Sequence, residues 1–440
     1  MIDIKLIREN PEVVKENIKR KFQNDKLPLV DKVRKLDEQW RKNKLEADNL
    51  RAERNKISKE ISEAKKSKQE SKTKELLKKA KSIPDEIAKI EAESSKLQNE
   101  IREIMLQIPN IIHKSVPKGK DASENVEIKK GGRIPKFSFP IKNHVELIEQ
   151  LGMGDFDASA RVSGTGFYYL KNKLALLNQA LIRFAIDFMN KKGYEYIETP
   201  LMLNDKEIYA SMDKKAIQDS VYEITGEGKG LIGTAEQSLL AMHSGQDIPE
   251  KNLPKKYFSY SMCFRKEIGA HGINEKGLWR THQFNKVEQF IFCMPKDSEK
   301  LYDELLKNSE EILKTLELPY RVLEICTGDL ADWKYRSADL EVWRPTLKEY
   351  GEVMSLSNCT EYQARKLNIR YISKDGKTRG VLHTLNDTAL ATSRILVALL
   401  ENNQQKDSSI KIPKALWKYT GFKEIKAEKP GQEAKSKKKK

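Results

Sequence analysis

Two long runs of apolar residues spaced three and four apart constrain this chain more than any other feature. Between Asp31 and Ala64 the apolar positions are Val33, Leu36, Trp40, Ala47, Leu50, Ile57, Ile61 and Ala64. Between Leu76 and Ile108 they are Ile83, Ile87, Ile90, Leu97, Ile101, Ile104 and Ile108, with Ser94 at one seam position. Such steps lay a stripe along a helix, and a stripe kept up over many turns must pack against a second one. The stretch SKQESKTKE between the runs has no apolar anchor and reads as a turn. The runs therefore fold back on each other as an antiparallel coiled coil over residues 31–108. Pro84 lies inside the second run and predicts a kink there or a delayed start. Arg51 to Lys81 holds 12 basic and 5 acidic residues, so the half nearest the turn is the positive half. A charged hairpin serves as a solvated spacer or a dimerisation rod, or else as an arm that grips a nucleic-acid backbone. The runs alone favour the spacer.

What flanks the hairpin sets the domain plan. A chain of 440 residues has room for two or three domains with a substantial core. Residues 1 to about 30 read as a helical entry, with Asn10-Pro11-Glu12 placing a cap and a proline at a helix start. The stretch 111–142 is rich in Pro, Gly and Asn and reads as a linker between an N-terminal domain (1–110) and a compact domain (143–425). The Lys-rich end, 426–440, is expected to be disordered. A net charge of +17 favours a polyanionic partner. Cys263, Cys293, Cys326 and Cys359 are far apart, with no paired spacing and no histidine at ligand distance, so reduced thiols are expected and zinc is not. No apolar run approaches the length of a membrane span, and the N-terminus lacks a signal-peptide pattern; a soluble cytoplasmic protein, with no membrane partner, is expected.

In the compact domain, NHVELIEQLGM (143–153) predicts a short helix with a glycine stop, GTGFYYL a strand, and Leu174 to Lys192 a helix ending at Gly193. YEYIETPLML follows as a strand broken by Pro200. Further helices are expected over 298–316 and 388–402, and strands near 320–326 and 350–356. Mainly antiparallel strands with helices on one side argue for an α+β fold.

The chemistry concentrates between Phe264 and Glu288. YFSYSMCFRKE alternates, which puts Ser259, Ser261, Cys263, Arg265 and Glu267 on one strand face. THQFNKVEQFIF alternates too, with His282, Phe284, Lys286 and Glu288 together, and Gly269, Gly272 and Gly277 mark a long hairpin loop between the strands. Arg265, Glu267, Phe284 and Glu288 suit an anion, an exocyclic amine, a flat heterocycle and an ammonium or hydroxyl; a half-buried hairpin with charges at its edge is the blander reading. Elsewhere, Thr234 and Glu236 of GTAEQSL point the same way if the backbone is extended, and could hold an ammonium; otherwise Thr234 caps a helix with Glu236 in its first turn. Glu352 and Ser355 are hard oxygen ligands suited to Mg²⁺ bridging phosphates. Asn386 and Thr388 precede a helix that carries Arg394 about two turns in, where an arginine is usually a surface partner and beside a phosphate site becomes a phosphate ligand.

Together these pieces resemble the seryl-tRNA synthetases, a class II aminoacyl-tRNA synthetase family, over nearly the whole chain. RFAIDFMNKKGYEYIETPLM with Pro200 matches the first class motif, the Phe264–Glu288 stretch the second, and Leu385 to Arg394 the third. The segments MIDIKLIRENPEVVKENIK, IPNIIHKSVP, VSGTGFYYL, GTAE and RTHQFNKVEQF, with the helical arm, make the resemblance specific to the seryl family.

The resemblance implies an antiparallel-sheet catalytic domain flanked by helices that converts L-serine and ATP to seryl-adenylate and diphosphate, then charges tRNA(Ser), and in this family usually tRNA(Sec) as well. By motif position, Arg265 would hold the α-phosphate and the serine carboxylate, Glu267 the adenine amine, Phe284 the adenine ring, and Arg280 and Arg394 the outer phosphates. Glu352 and Ser355 would hold Mg²⁺. Lys266, Thr281, His282, Gln283, Val353 and Met354 complete the implied ATP segment. Thr234, Ala235 and Glu236 would bind the serine ammonium, and Glu288 with Asn386 or Thr388 the serine hydroxyl. Arg265, Arg394 and Glu352 are the implied catalytic residues. The resemblance further implies a homodimer joined through the Pro200 motif and an arm that binds tRNA(Ser). A carrier-protein ligase of the same core would lack the arm, and a non-catalytic paralogue would be expected to lose phosphate arginines or serine ligands. Two positions depart from the family: Asp387 stands where glycine is common, unfavourable beside phosphates unless paired or turned away, and Met354 replaces a small residue.

Overall fold

The computed structural model describes residues 1–268, 272 and 276–427. Gly269 of the expected loop and nearly all of the expected disordered tail lie outside the described residues. The chain divides into two compact units, Met1–Pro109 and Asn110–Lys440.

In the first unit, helices α1 (Ile4–Glu9) and α2 (Pro11–Arg20) precede two long ones, α3 (Leu27–Lys66) and α4 (Glu70–Met105). The seam of the hairpin buries Ile57 and Ala64 against Leu76, Ile83 and Ile87, with Leu50, Ile61 and Ala80 packed beside them. The turn is shorter than SKQESKTKE suggests. Only 67–69 leave the helix, with Lys68 at φ 54°, and helix resumes at Glu70. Pro84 neither breaks α4 nor delays its start, because the stripe around it (Ile83, Ile87) is buried against α3. Near its base, the α3 seam also buries Asp37, which accepts from Arg8 at 2.6 and 2.7 Å and from Arg41 at 3.1 Å. That satisfies a charge the apolar pattern did not mark.

The second unit is built on an eight-stranded sheet. In chain order its strands are β1 (Val126–Gly131), β2 (Glu195–Tyr196), β3 (Lys255–Phe264), β4 (Gln283–Cys293), β5 (Tyr320–Glu324), β6 (Arg336–Arg344), β7 (Glu349–Thr360) and β8 (His383–Ala391). Across the sheet they run β1-β5-β6-β7-β8-β4-β3-β2, antiparallel except for β2 beside β3. One face is dry. Val287, Ile291, Leu340, Met354, Leu356 and Leu385 project from it into a single core with helices α5 (Asn172–Lys191), α6 (Ser298–Thr315) and α7 (Thr392–Asn403). The other face buries Tyr257, Phe290 and Phe292 against Leu239, Leu240 and Ala364 of the short helices Ala235–Ala241 and Tyr362–Lys366, and carries polar groups over the rest. This is the expected α+β arrangement, except that helices cover part of both faces rather than one side alone.

Local differences have local causes. GTGFYYL is largely irregular, with only Tyr169–Leu170 in a two-residue strand, because its glycines at 164 and 166 take φ of 89° and 76°. The helix expected over 388–402 starts at Thr392, so Arg394 lies in its first turn and Asn386 and Thr388 are on β8. β3 stops at Phe264, since Glu267 takes φ 53°, and strict alternation does not reach it.

Candidate active site

On the polar sheet face lies a cavity of about 360 Å³. Strand alternation supplies its floor: Phe284, Lys286 and Glu288 point in from β4, and Asn386 and Thr388 from β8. Glu352 and Ser355 share the cavity although they are an odd number of residues apart. The register between β6 and β7 slips at Val353, and this bulge brings both side chains to one face. A second slip at Ala389 lets Ala391 join Thr388 there.

The GTAE segment caps a helix rather than running extended. Thr234 Oγ1 accepts from Glu236 N at 3.2 Å at the start of Ala235–Ala241. Both side chains still line the cavity, and Thr234 is buried. Glu236 Oε1 accepts from Gln363 Nε2 at 2.7 Å. Burial, with Glu288 adding to it, pushes the Glu236 carboxyl up to about 7.

The cations are placed with care for their partners. Arg280 Nη1 donates to Glu267 Oε2 at 2.7 Å, which the left-handed turn at Glu267 brings within reach. Arg394 Nη1 donates to Glu352 O at 2.7 Å and to its Oε2 at 3.1 Å, and Nε donates to Trp279 O at 3.2 Å. Arg394 and Arg344 both lie over the Trp279 ring, at 5.4 and 3.9 Å from guanidinium carbon to ring centroid. Arg265 Nε donates to Gly233 O at 3.1 Å, its guanidinium lies 5.3 Å from the Phe284 ring centroid, and it makes no ion pair among the described residues. That leaves one cavity arginine available to an anionic ligand.

Glu352 and Ser355 are the oxygen donors a divalent cation would use. Burial raises the Glu352 carboxyl, but Arg394, with Arg265 and Lys334, outweighs it and holds the group below its ordinary value. Across the ladder from Ser355 sits Asp339, pushed up to about 7 by burial and by Glu352. Its Oδ1 is buried without a partner among the described residues. Hard oxygens, one anionic, fit Mg²⁺ accompanied by phosphates and water. Among the described residues no three His, Cys, Asp or Glu side chains gather into a metal-binding group of their own.

Of the residues singled out from sequence, Thr234, Glu236, Arg265, Glu267, Arg280, Thr281, Phe284, Glu288, Glu352, Val353, Ser355, Asn386, Thr388 and Arg394 line the cavity. Ala235, Lys266, His282, Gln283 and Met354 do not. Met354 faces the helix-covered core. His282 braces the motif from outside, its Nδ1 lying 2.9 Å from Arg265 O and 3.1 Å from Tyr222 Oη. Asp387 is turned away on the opposite face of β8, where its Oδ2 accepts from Ser309 Oγ at 2.5 Å and Gln289 Nε2 at 3.2 Å. Burial, with Glu288 and Asp339 adding to it, raises its carboxyl well above the ordinary range despite the Ser309 bond. The departure from the family pattern thus places no carboxylate among the cavity's cations. Sequence reasoning gave no role to Lys286, Trp279 or Lys334, which also line the cavity. Alternation had already put Lys286 on the same face as Glu288, whereas Trp279 and Lys334 lie outside regular strands and left no periodic signal.

Comparison with known proteins agrees with this geometry. Residues 1–112 match the seryl-tRNA synthetase N-terminal domain, and residues 221–403 the tRNA synthetase class II core domain (G, H, P, S and T). A serine–tRNA ligase of Pyrococcus furiosus is 43% identical over 97% of both chains, and one of Methanocella arvoryzae 44% over 95% of this chain and 98% of its own. The crystal structure of seryl-tRNA synthetase from Pyrococcus horikoshii complexed with ATP superposes with TM-score 0.92 at 41% identity, covering 98% of this chain and 100% of that one. A cytoplasmic serine–tRNA ligase from Naegleria fowleri in complex with AMP gives TM-score 0.87 at 33% identity, covering 98% and 99%. With its sequence and fold matched along nearly the full length of both chains, the chain belongs to the seryl-tRNA synthetase family.

Proposed function

We infer that the chain activates L-serine with ATP, forming seryl-adenylate and diphosphate, and then passes the seryl group to the 3′ end of tRNA(Ser). The observation that carries this reading is the cavity itself. It combines an arginine without an ion pair among the described residues, two further arginines and an acceptor set of Thr234, Glu236 and Glu288, on a sheet of this family.

In the first step the serine carboxylate attacks the α-phosphorus and diphosphate departs. Little covalent work is left to the protein, so positioning and charge neutralisation supply most of the rate. Arg265 holds the α-phosphate and the serine carboxylate, Arg280 and Arg394 the outer phosphates. Phe284 stacks on adenine and Glu267 accepts from its amine. Glu236 and Thr234 bind the serine ammonium, and Glu288, with Thr388 and Asn386 beside it, receives the hydroxyl. Mg²⁺, held by Glu352 and Ser355, would neutralise phosphate charge.

The arm binds the tRNA through its basic half, two subunits join through the α5 and Pro200 region, and the protein works in the cytoplasm. Lys56, Lys59, Lys65, Lys66, Lys72 and Lys78 are all exposed along α3 and α4. Changing them to Gln should leave serine-dependent ATP–diphosphate exchange intact and raise the KM for tRNA(Ser) about tenfold or more, with a shallower salt dependence. Unchanged charging by this variant would remove the arm from tRNA binding. Failure of the unmodified protein to charge tRNA(Ser) would remove the function.

A further inference from the structure

We propose that Lys286 is a positioning residue that sets serine specificity: it occupies one oxygen of Glu288, leaves the other for the substrate hydroxyl, and turns the substrate ammonium toward Glu236. The proposal rests on the assignment of Glu288 to the serine hydroxyl.

Lys286 and Glu288 are two apart on β4 and both line the cavity. Their side chains retain only 7% and 2% exposure, and Lys286 Nζ stands 2.7 Å from Glu288 Oε2. Thr388 Oγ1 reaches the same Oε2, at 3.4 Å. Among the described residues no hydrogen bond or ion pair falls on Oε1. A carboxylate offers about four lone-pair sites, so this one is already committed on one side and open on the other.

A buried ammonium is costly to keep, and its pairing needs a reason. The ladder does not supply one, since β4 is paired through these positions to both β3 and β8. Substrate chemistry does. Every amino acid brings an ammonium, and an unpaired buried carboxylate would attract it wherever it stood. Four glutamates line the cavity; Glu267 and Glu352 are paired with Arg280 and Arg394, which leaves Glu236 and Glu288 as those without an arginine among the described residues. The partner of Glu236 is the neutral amide of Gln363, at 2.7 Å. That of Glu288 is a cation. Lys286 therefore cancels the attraction of Glu288 for a second cation and leaves it able to accept only from a neutral donor, such as a hydroxyl. Glu236 keeps its pull on the ammonium. The amino acid is held in one orientation, and one without a hydroxyl leaves Oε1 unpaired.

The test is the ratio of kcat/KM for serine to that for alanine in ATP–diphosphate exchange, measured for the wild type and for K286M, K286R and E288Q. A site that demands a hydroxyl gives the wild type a ratio on the order of 10⁴. K286M should lower that ratio about 100-fold while the KM for ATP stays within about twofold, and K286R should recover most of it. A K286M enzyme that loses activity toward both amino acids equally, with the ratio intact, would make Lys286 a purely structural ion pair and overturn the proposal. An unchanged ratio in E288Q would instead remove the assignment of Glu288, and the proposal with it. Thermal unfolding reports whether K286M is folded; should it not be, K286Q is read on the same ratio.

Discussion

At the scale of single residues, carboxyl groups that look alike in the sequence are given different duties by their surroundings. Glu236 is pushed up to about 7 by burial and by Glu288, so in the empty site it is partly protonated near neutrality, whereas binding an ammonium requires the carboxylate. Below about pH 7, kcat/KM for serine should therefore fall about tenfold per pH unit. E236Q should be less active and should lose this limb; a wild-type profile flat from pH 5.5 to 8 would contradict the assignment. Asp387 is the reverse case, a buried carboxyl whose neutral form the fold prefers. Its folded-state pKa is raised, so the stability it contributes is fully present below about pH 4 and is lost as pH climbs from there through the raised value. D387N, which mimics the neutral acid, should remove that loss and gain on the wild type in Tm as pH rises. D387A leaves Ser309 and Gln289 short of a partner and should cost about 1–3 kcal/mol. The identity of these side chains was plain in the sequence. Their burial was not, because it depends on which strands become neighbours, and that pairing leaves no mark within any one strand.

At the scale of elements, helices and strands were largely legible because periodicity reports them directly: the apolar stripes of α3 and α4, and the alternation of β3 and β4. What escaped were places where one residue breaks the period. The bulge at Val353 brings Glu352 and Ser355 to one face, and the left-handed Glu267 ends the alternation of β3, yet neither residue type announces the event. The GTAE segment offered two readings, and the helix cap prevailed without moving Thr234 or Glu236 out of the cavity. A contact between elements gives a sharper test. A Cβ added at Gly351 of β7 would lie 2.3 Å from Cζ2 of Trp279, whose carbonyl and ring hold Arg394. G351A should displace the ring and with it Arg394, lowering kcat/KM for ATP about 10–100-fold while serine dependence changes little. Equal losses toward ATP and serine would mean that the stack does not serve Arg394.

At the scale of the whole molecule, the chain separates two tasks into two compact units. Residues 1–109 are almost wholly helical, and residues 110–440 hold the sheet and the cavity. Length and charge alone allowed many such plans. The order of motifs along the chain narrowed them, and kinship along 95–98% of its length settled the family. The central claim is that the cavity on the polar sheet face activates serine and no other amino acid. ATP–diphosphate exchange, measured with each of the standard amino acids in turn and no tRNA present, tests it most directly. Exchange is expected with serine, and at least about 10³-fold less of it with alanine, glycine and threonine; its loss is expected when Arg265 is changed to Ala. Equal exchange with alanine, or none with serine, would contradict it.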